Sequence, residues 1–289
     1  MDIDLINRLK ITAIQALVSN DYLFDKLVLK GGNALDLIHK IAERASFDLD
    51  FSIEDSFDEF ELPKIRSIIE ELLKNSFKDK GYYVFDVTLN KRPNNIAPNL
   101  DDFWGGYKIE FKLLEYNKYE KLKIDEEKVR RFALPIGHNN STKLRIEISR
   151  FEYIKSSTQI DVGGYMVKVY SPTLIAIEKL RAICQQTNEY RDIVNSISIR
   201  PRARDFFDIH TIITNCHIDL STEESKTLLR CVFMAKRVPL NFLLLIINYR
   251  DFHSNDFVSV KDTVKPNTNL RSFDFYFDFV LDICKKLQS

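Results

Sequence analysis

Two acidic residues set two apart offer the clearest chemistry in this chain. In Arg44-Ala45-Ser46-Phe47-Asp48-Leu49-Asp50-Phe51 apolar and acidic residues alternate, as on a strand with one buried face. Phe47, Leu49 and Phe51 then face a core. Asp48 and Asp50 share the other face, with Cα atoms roughly 6.6 Å apart. Carboxylates that close repel unless a cation stands between them, and a hard divalent ion with oxygen ligands meets that need. Two solvated acids on an exposed strand are the plain alternative. A third acid on a neighbouring strand would complete such a site. Glu147 in Leu144-Arg145-Ile146-Glu147-Ile148 and Glu110 in Tyr107-Lys108-Ile109-Glu110-Phe111 both alternate in the required way. Glu147 is preferred, because Lys108 and Lys112 flank Glu110 on its own face and suit an ion-pair ladder.

Just upstream, Leu27-Val28-Leu29-Lys30-Gly31-Gly32-Asn33-Ala34-Leu35 reads as a strand, a double-glycine turn and a helix. Glycines permit a tight turn and close approach of a ligand to the backbone. Free amides at a helix start suit phosphate. A purely structural turn has the same signature.

The elements that must position these residues follow from periodicity. Helical spacing covers residues 3 to 18 (Ile3, Ile6, Leu9, Ala13, Ala16 and Leu17) and 59 to 79, and Ala34 to Ile41 reads as a helix after the Gly turn. Strands are expected at Leu27 to Leu29, Phe47 to Ile53, Tyr82 to Leu89, Tyr107 to Leu114 and Lys143 to Ser149, with a charged excursion over 117 to 142. After Val169 helices dominate. Ser171-Pro172 pairs a hydroxyl cap with proline at the first helical position, and helices are expected over 172–187, 203–214, 221–236 and 272–287. The fold class is therefore α+β: a mixed sheet with helices over residues 1–170, then a mainly helical part over 171–289.

Composition narrows the function classes. The 289 residues carry 42 basic and 42 acidic side chains, without the basic excess of a protein that merely coats nucleic acid. Local basic patches remain compatible with a nucleic-acid substrate. The strongest apolar run, Phe242 to Ile247, is too short to span a bilayer and reads as a core helix. The N-terminal MDIDLINRLK has no apolar signal core. Cys184, Cys216, Cys231 and Cys284 have no zinc or redox spacing, and four buried, reduced thiols in a cytoplasmic protein are expected. The five histidines, His39, His138, His210, His217 and His253, show no metal spacing.

Four segments, KGGNAL, RASFDLDF, SPTLIAIEKLRAI and RARDFFDI, together resemble the AbiEii/AbiGii toxin family of nucleotidyltransferases, in that family's order and over about residues 25 to 215. Asn33 departs from the family's more frequent threonine or serine, and the interval between the third and fourth segments is long. The resemblance implies a polymerase-β-like nucleotidyltransferase fold. It implies an NTP held through Mg2+ or Mn2+ at Asp48 and Asp50, with phosphates near Lys30, Gly31, Gly32 and Asn33. It also implies functional roles for Lys179 and Asp205. Proteins of this family are commonly toxins paired with an antitoxin in bacterial phage defence, and some relatives modify tRNA ends.

The expected activity is transfer of an NMP to RNA, such as tRNA, with release of pyrophosphate. A small-molecule acceptor or a non-catalytic nucleotide-binding module are the alternatives. In this scheme Lys179 neutralises triphosphate oxygens as a point charge, at the edge of its helix's buried face. Asp205, in the first turn of the next helix, orients Lys179, helps activate the acceptor hydroxyl, or simply caps the helix. Arg44 binds phosphate or pairs with Asp48. Arg191, Arg200, Arg202 and Arg204, with Tyr190, grip an RNA backbone or line a solvated loop.

Overall fold

A computed structural model describes residues 3–46, 48–136 and 140–288. Phe47 and His138 lie outside the described residues. Seven strands form one mixed sheet in the order β3-β4-β5-β2-β1-β7-β6. They are β1 (Val28–Lys30), β2 (Leu49–Ser52), β3 (Tyr82–Arg92), β4 (Gly106–Glu115), β5 (Lys143–Ser149), β6 (Ser157–Asp161) and β7 (Met166–Tyr170). β1 pairs antiparallel with β2 and parallel with β7. β2 pairs parallel with β5, and β4 antiparallel with β5.

The helices α1 (Ile3–Val18) and α2 (Leu62–Lys78) pack on each other and onto the sheet at β7 and β3. After the sheet come α3 (Pro172–Cys184), α4 (Ala203–Cys216), α5 (Glu223–Ala235) and α6 (Phe273–Gln288). Here α3 packs on α4 and α5, and α6 packs on α4. Ser171 caps α3 by accepting a hydrogen bond from the Leu174 amide at 3.2 Å, with Pro172 at the first helical position. One contiguous apolar core runs from Leu9 to Cys284 and crosses residue 170 without a break. Among the described residues, no helix is long and apolar enough to cross a membrane.

Several expectations need correction. The hairpin β6–β7 was not anticipated. β6 is short and largely exposed, so it lacks the apolar alternation that marks a half-buried strand. The charged excursion folds as two short helices, Tyr116–Leu122 and Glu126–Arg131, which close a small separate core of Phe85, Leu114, Val129 and Ala133. The helix after the Gly turn starts at Gly31 itself and widens to a π-helix over Ala34–Ile38. Of the four thiols, all free, only Cys184 and Cys284 are buried; Cys216 and Cys231 are partly exposed.

Candidate active site

The Gly31-Gly32 turn ends the short β1, and Asp50 sits across from Lys30 on β2. Gly31 has φ +70, and a Cβ there would lie 2.7 Å from Asp50 Oδ2. Only glycine lets the turn pass so close to that carboxylate. On the other side of Asp50, Glu147 of β5 is its direct cross-strand partner. Side chains at paired positions share a face, so strand register brings these two acids together. Both border a cavity of about 970 Å³, together with Lys30, Gly31, Gly32 and Lys179.

Asp50 is only half-buried by surface area, yet desolvation pushes its carboxyl up to about 7; Lys30 opposes that shift, and Glu147, Glu178 and Asp48 reinforce it. Lys30 does not neutralise Asp50 outright, because its ammonium is held by Glu178 at 2.5 Å and Glu152 at 3.6 Å. Burial disfavours that ammonium, but Glu178 and Glu152 outweigh burial and its pKa is raised. Asp50 is thus an acid short of positive charge on the cavity wall.

The other expected residues are distributed differently. Asp48 is exposed, stands one residue before β2 begins, and does not border the cavity. The strand is shorter than its alternating sequence suggests, so alternation alone does not put Asp48 beside Asp50 on one face. Glu110 is held by Lys143 at 3.0 Å and Arg145 at 3.1 Å, away from the cavity wall. Glu147 pairs instead with Arg92. Asn33 is fully buried. Its Oδ1 accepts from Lys10 Nζ at 3.1 Å, and its Nδ2 donates to the Asp48 carbonyl at 2.5 Å. Rather than presenting an amide to phosphate, Asn33 ties the Gly turn to the approach to β2.

Lys179 is buried, not at a helix edge. Its Nζ lies 2.8 Å from Asp205 Oδ1 and 2.7 Å from Asp208 Oδ2. Arg44 does not pair with Asp48; its Nε and Nη2 grip both oxygens of Asp208 at 2.8 and 2.6 Å. Arg202 completes the set by pairing with Asp205. Burial raises the Asp205 carboxyl, but Arg202 and Lys179 outweigh it and hold the group well below the usual carboxylate range. α4 therefore brings a pair of acids, three residues apart and on one face, to two buried cations. Lys179, Arg44 and Asp205 all border the cavity that holds Asp50.

Sequence reasoning missed a second buried ionic group on the cavity wall. Glu152, just after β5, receives both Arg181 Nη1 and Nη2 at 2.9 and 3.3 Å, with Lys236 at 3.7 Å. The signal was available in part, since Glu178, Lys179 and Arg181 crowd one helix. Nothing in the sequence ties them to Glu152 or Lys236. Arg200, Arg202 and Arg204 border the cavity, whereas Arg191 does not. Tyr190 cannot stack on a base: it is fully buried, and its hydroxyl donates to the Lys236 carbonyl at 2.7 Å.

Among the described residues, no three carboxylate, imidazole or thiolate groups converge into a ready metal cage. The donors nonetheless fit a hard divalent ion. Mg2+ is usually bound through one or two carboxylates with substrate phosphates supplying further oxygens. Asp50 beside Glu147, on the wall of a cavity that Gly31 and Gly32 also border, is compatible with that arrangement.

A seven-stranded mixed sheet with a Gly turn against an acid-bearing strand defines a nucleotidyltransferase fold. The chain matches the family described as "Nucleotidyl transferase AbiEii toxin, Type IV TA system" over residues 13–278, and it belongs to that family of toxin enzymes. Among solved structures it is similar to JHP933 from Helicobacter pylori, at 17% identity and TM-score 0.50, covering 99% of this chain and 91% of that one. It is also similar to MenT4, a nucleotidyltransferase toxin from Mycobacterium tuberculosis, at 14% identity and TM-score 0.49, covering 100% of this chain and 84% of that one. No curated protein matches.

Proposed function

We propose that the cavity transfers an NMP from an NTP to RNA, such as tRNA, as the toxin of a toxin–antitoxin pair. The observation that carries the reading is Asp50: a carboxylate short of positive charge, packed against the Gly31 turn on the wall of a large cavity that both glycines border. In this reading Asp50 and Glu147, with Asp48 adjoining, hold Mg2+ or Mn2+. When bound, such an ion neutralises phosphate charge and makes an acceptor hydroxyl more acidic. Gly31 and Gly32 seat the triphosphate. Lys179, held by Asp205 and Asp208, presents a fixed positive charge toward it, and Arg44 fixes Asp208 in turn. Asp205 positions Lys179. Acceptance of RNA is supported by the wall beyond the acids. There basic side chains outnumber acidic ones, and Arg200 and Arg204 have no carboxylate partner among the described residues. Phosphodiester oxygens would meet those guanidiniums.

The test is incubation with each labelled NTP, Mg2+ and total RNA. Label should enter RNA with the wild type, whereas Asp50→Ala and Asp48→Ala should be silent while remaining folded by circular dichroism. Full transfer by both variants would sink the reading.

A further inference from the structure

The order of strands also gives the site a direction. Crossing the sheet from β1 to β2, β5 and β4 passes the Gly turn, then Asp50, then Glu147, then Lys108 of β4, which lies two residues into that strand from its start at Gly106. If the cavity is a nucleotidyl-transfer site, as proposed above, the leaving pyrophosphate sits at the Gly turn. In-line displacement places the attacking oxygen on the opposite side of the reacting phosphorus. The acceptor then approaches from the β4 side.

At that side stands Trp104, the one tryptophan of the chain. It borders the cavity and is half-buried, with its ring 6.1 Å from that of the fully buried Tyr190. Its backbone is pinned to an unusual degree. The carbonyls of three successive residues are each taken: Phe103 by Lys236 Nζ at 3.0 Å, Trp104 by Arg150 Nη2 at 2.8 Å, and Gly105 by the Arg150 amide at 3.0 Å. Lys236 and Arg150 are both buried, so two buried cations act to hold this one segment. Gly106 completes the fixture, since a Cβ there would meet the Ile148 carbonyl oxygen at 2.1 Å. A backbone held this firmly fixes the point from which the Trp104 ring projects, and aromatic faces accept any base. Arg92, paired with Glu147, borders the same end.

We propose that Trp104 is the platform on which the terminal base of the RNA acceptor stacks, which sets its terminal hydroxyl toward Asp50 and Glu147. Trp104 positions the acceptor and takes no part in proton or phosphoryl transfer.

Because Trp104 is the sole tryptophan, its emission reports the contact directly in the full-length protein. With Mg2+ present, a short RNA oligonucleotide with a free terminal hydroxyl should quench the emission saturably. The same oligonucleotide with an abasic terminal residue, and NTPs alone, should not. In transfer assays Trp104→Ala should raise KM for RNA roughly 5- to 150-fold, the range expected for one lost base stack. KM for NTP should not change, and Trp104→Phe should restore most of the loss. Quenching by NTP alone as strong as by RNA would put the donor base there and overturn the proposal while leaving transfer intact. So would an unchanged KM for RNA in Trp104→Ala. Should Trp104→Ala fail to fold, quenching of the wild-type protein decides alone. RNA that neither takes label nor quenches defeats the transfer reading itself, and this proposal with it.

Discussion

The cavity has two charged poles, and they are built in opposite ways. At the sheet pole, Asp50 and Glu147 lie side by side; Glu147 has Arg92, whereas Asp50 has no ion-pair partner of its own among the described residues and is driven up to about 7, mainly by desolvation. At the helix pole, Asp205 and Asp208 are more deeply buried, but Lys179, Arg44 and Arg202 meet them at hydrogen-bond distance, and both acids are held below their usual range. Burial alone therefore does not mark a ligand site. The informative feature is the sign of the imbalance. An acid without its own cation can take one from a ligand, whereas a matched cluster fixes geometry.

The largest expected effect tests the sheet pole by exchanging its candidate acids. Glu147→Gln should lower transfer at least about 100-fold, the consequence of losing a few kcal/mol of charge stabilisation at the reacting phosphate. Glu110→Gln should leave turnover of the folded protein nearly unchanged, because Glu110 is held by Lys143 and Arg145 away from the cavity wall. Equal losses of activity in the two variants would erase the distinction between them. The helix pole should answer in stability. Lys179→Met strips Asp205 and Asp208 of a shared partner, and breaking a buried pair in this way costs about 3–5 kcal/mol. Urea unfolding should show that loss, with partial recovery in Lys179→Met combined with Asp208→Asn. A Lys179→Met protein of wild-type stability would mean that the helix pole is not a matched cluster.

The contrast also explains what was legible in the sequence. Long amphipathic helices and alternating strands can be read because one face of each is buried: β5 falls at the expected residues 143–149, and α1, α3, α4, α5 and α6 fall within a few residues of their expected limits. β6 could not be read, because an exposed edge strand imposes no alternation. The acids of the site stand out as sequence motifs, since carboxylates that interrupt apolar runs are conspicuous. Their partners do not. Arg44 reaches Asp208 across 164 positions and Lys236 reaches the Arg150 carbonyl across 86, and no local pattern encodes a pairing formed only by the fold. Asn33 looked like a phosphate ligand for a related reason. A polar residue beside a glycine turn reads the same whether it faces out or in.

A pH titration of stability separates the poles with a smaller effect. The Asp50 carboxyl is raised, so the folded state holds its proton between about pH 4 and 7 while the unfolded chain does not. Its contribution is greatest below the unfolded pKa and is lost as pH rises toward 7. His253 runs the other way. Its pKa is lowered to about 4, chiefly by burial, and its Nδ1 accepts from the Arg202 amide at 3.1 Å. Its contribution is present above about 6.5 and is lost as pH falls. Asp50→Asn should therefore gain stability over the wild type progressively from about pH 4 to 7, whereas His253→Gln should lose its disadvantage toward about pH 4. A difference between Asp50→Asn and wild type that stays flat across that range would mean that Asp50 ionises at its ordinary value.

The smallest effect concerns the helix that serves both poles. α3 carries Glu178, which holds Lys30 beside Asp50, and Lys179, which joins Asp205 and Asp208. Its start is fixed by Ser171, whose hydroxyl accepts from the Leu174 amide. Glu178 and Lys179 lie about two turns further on. Ser171→Ala removes the cap and should cost about 1 kcal/mol, read as a lower urea midpoint at unchanged slope. Transfer by the folded fraction should stay within about twofold, because the core contacts of Leu174, Ile177 and Leu180, all fully buried, hold the helix in register without the cap. Ser171→Asp should restore the stability, since an aspartate both caps and complements the helix dipole. If Ser171→Ala instead loses activity far beyond its loss of folded protein, the start of α3 sets the spacing between the poles. They would then be one coupled device rather than a ligand site beside an independently anchored scaffold.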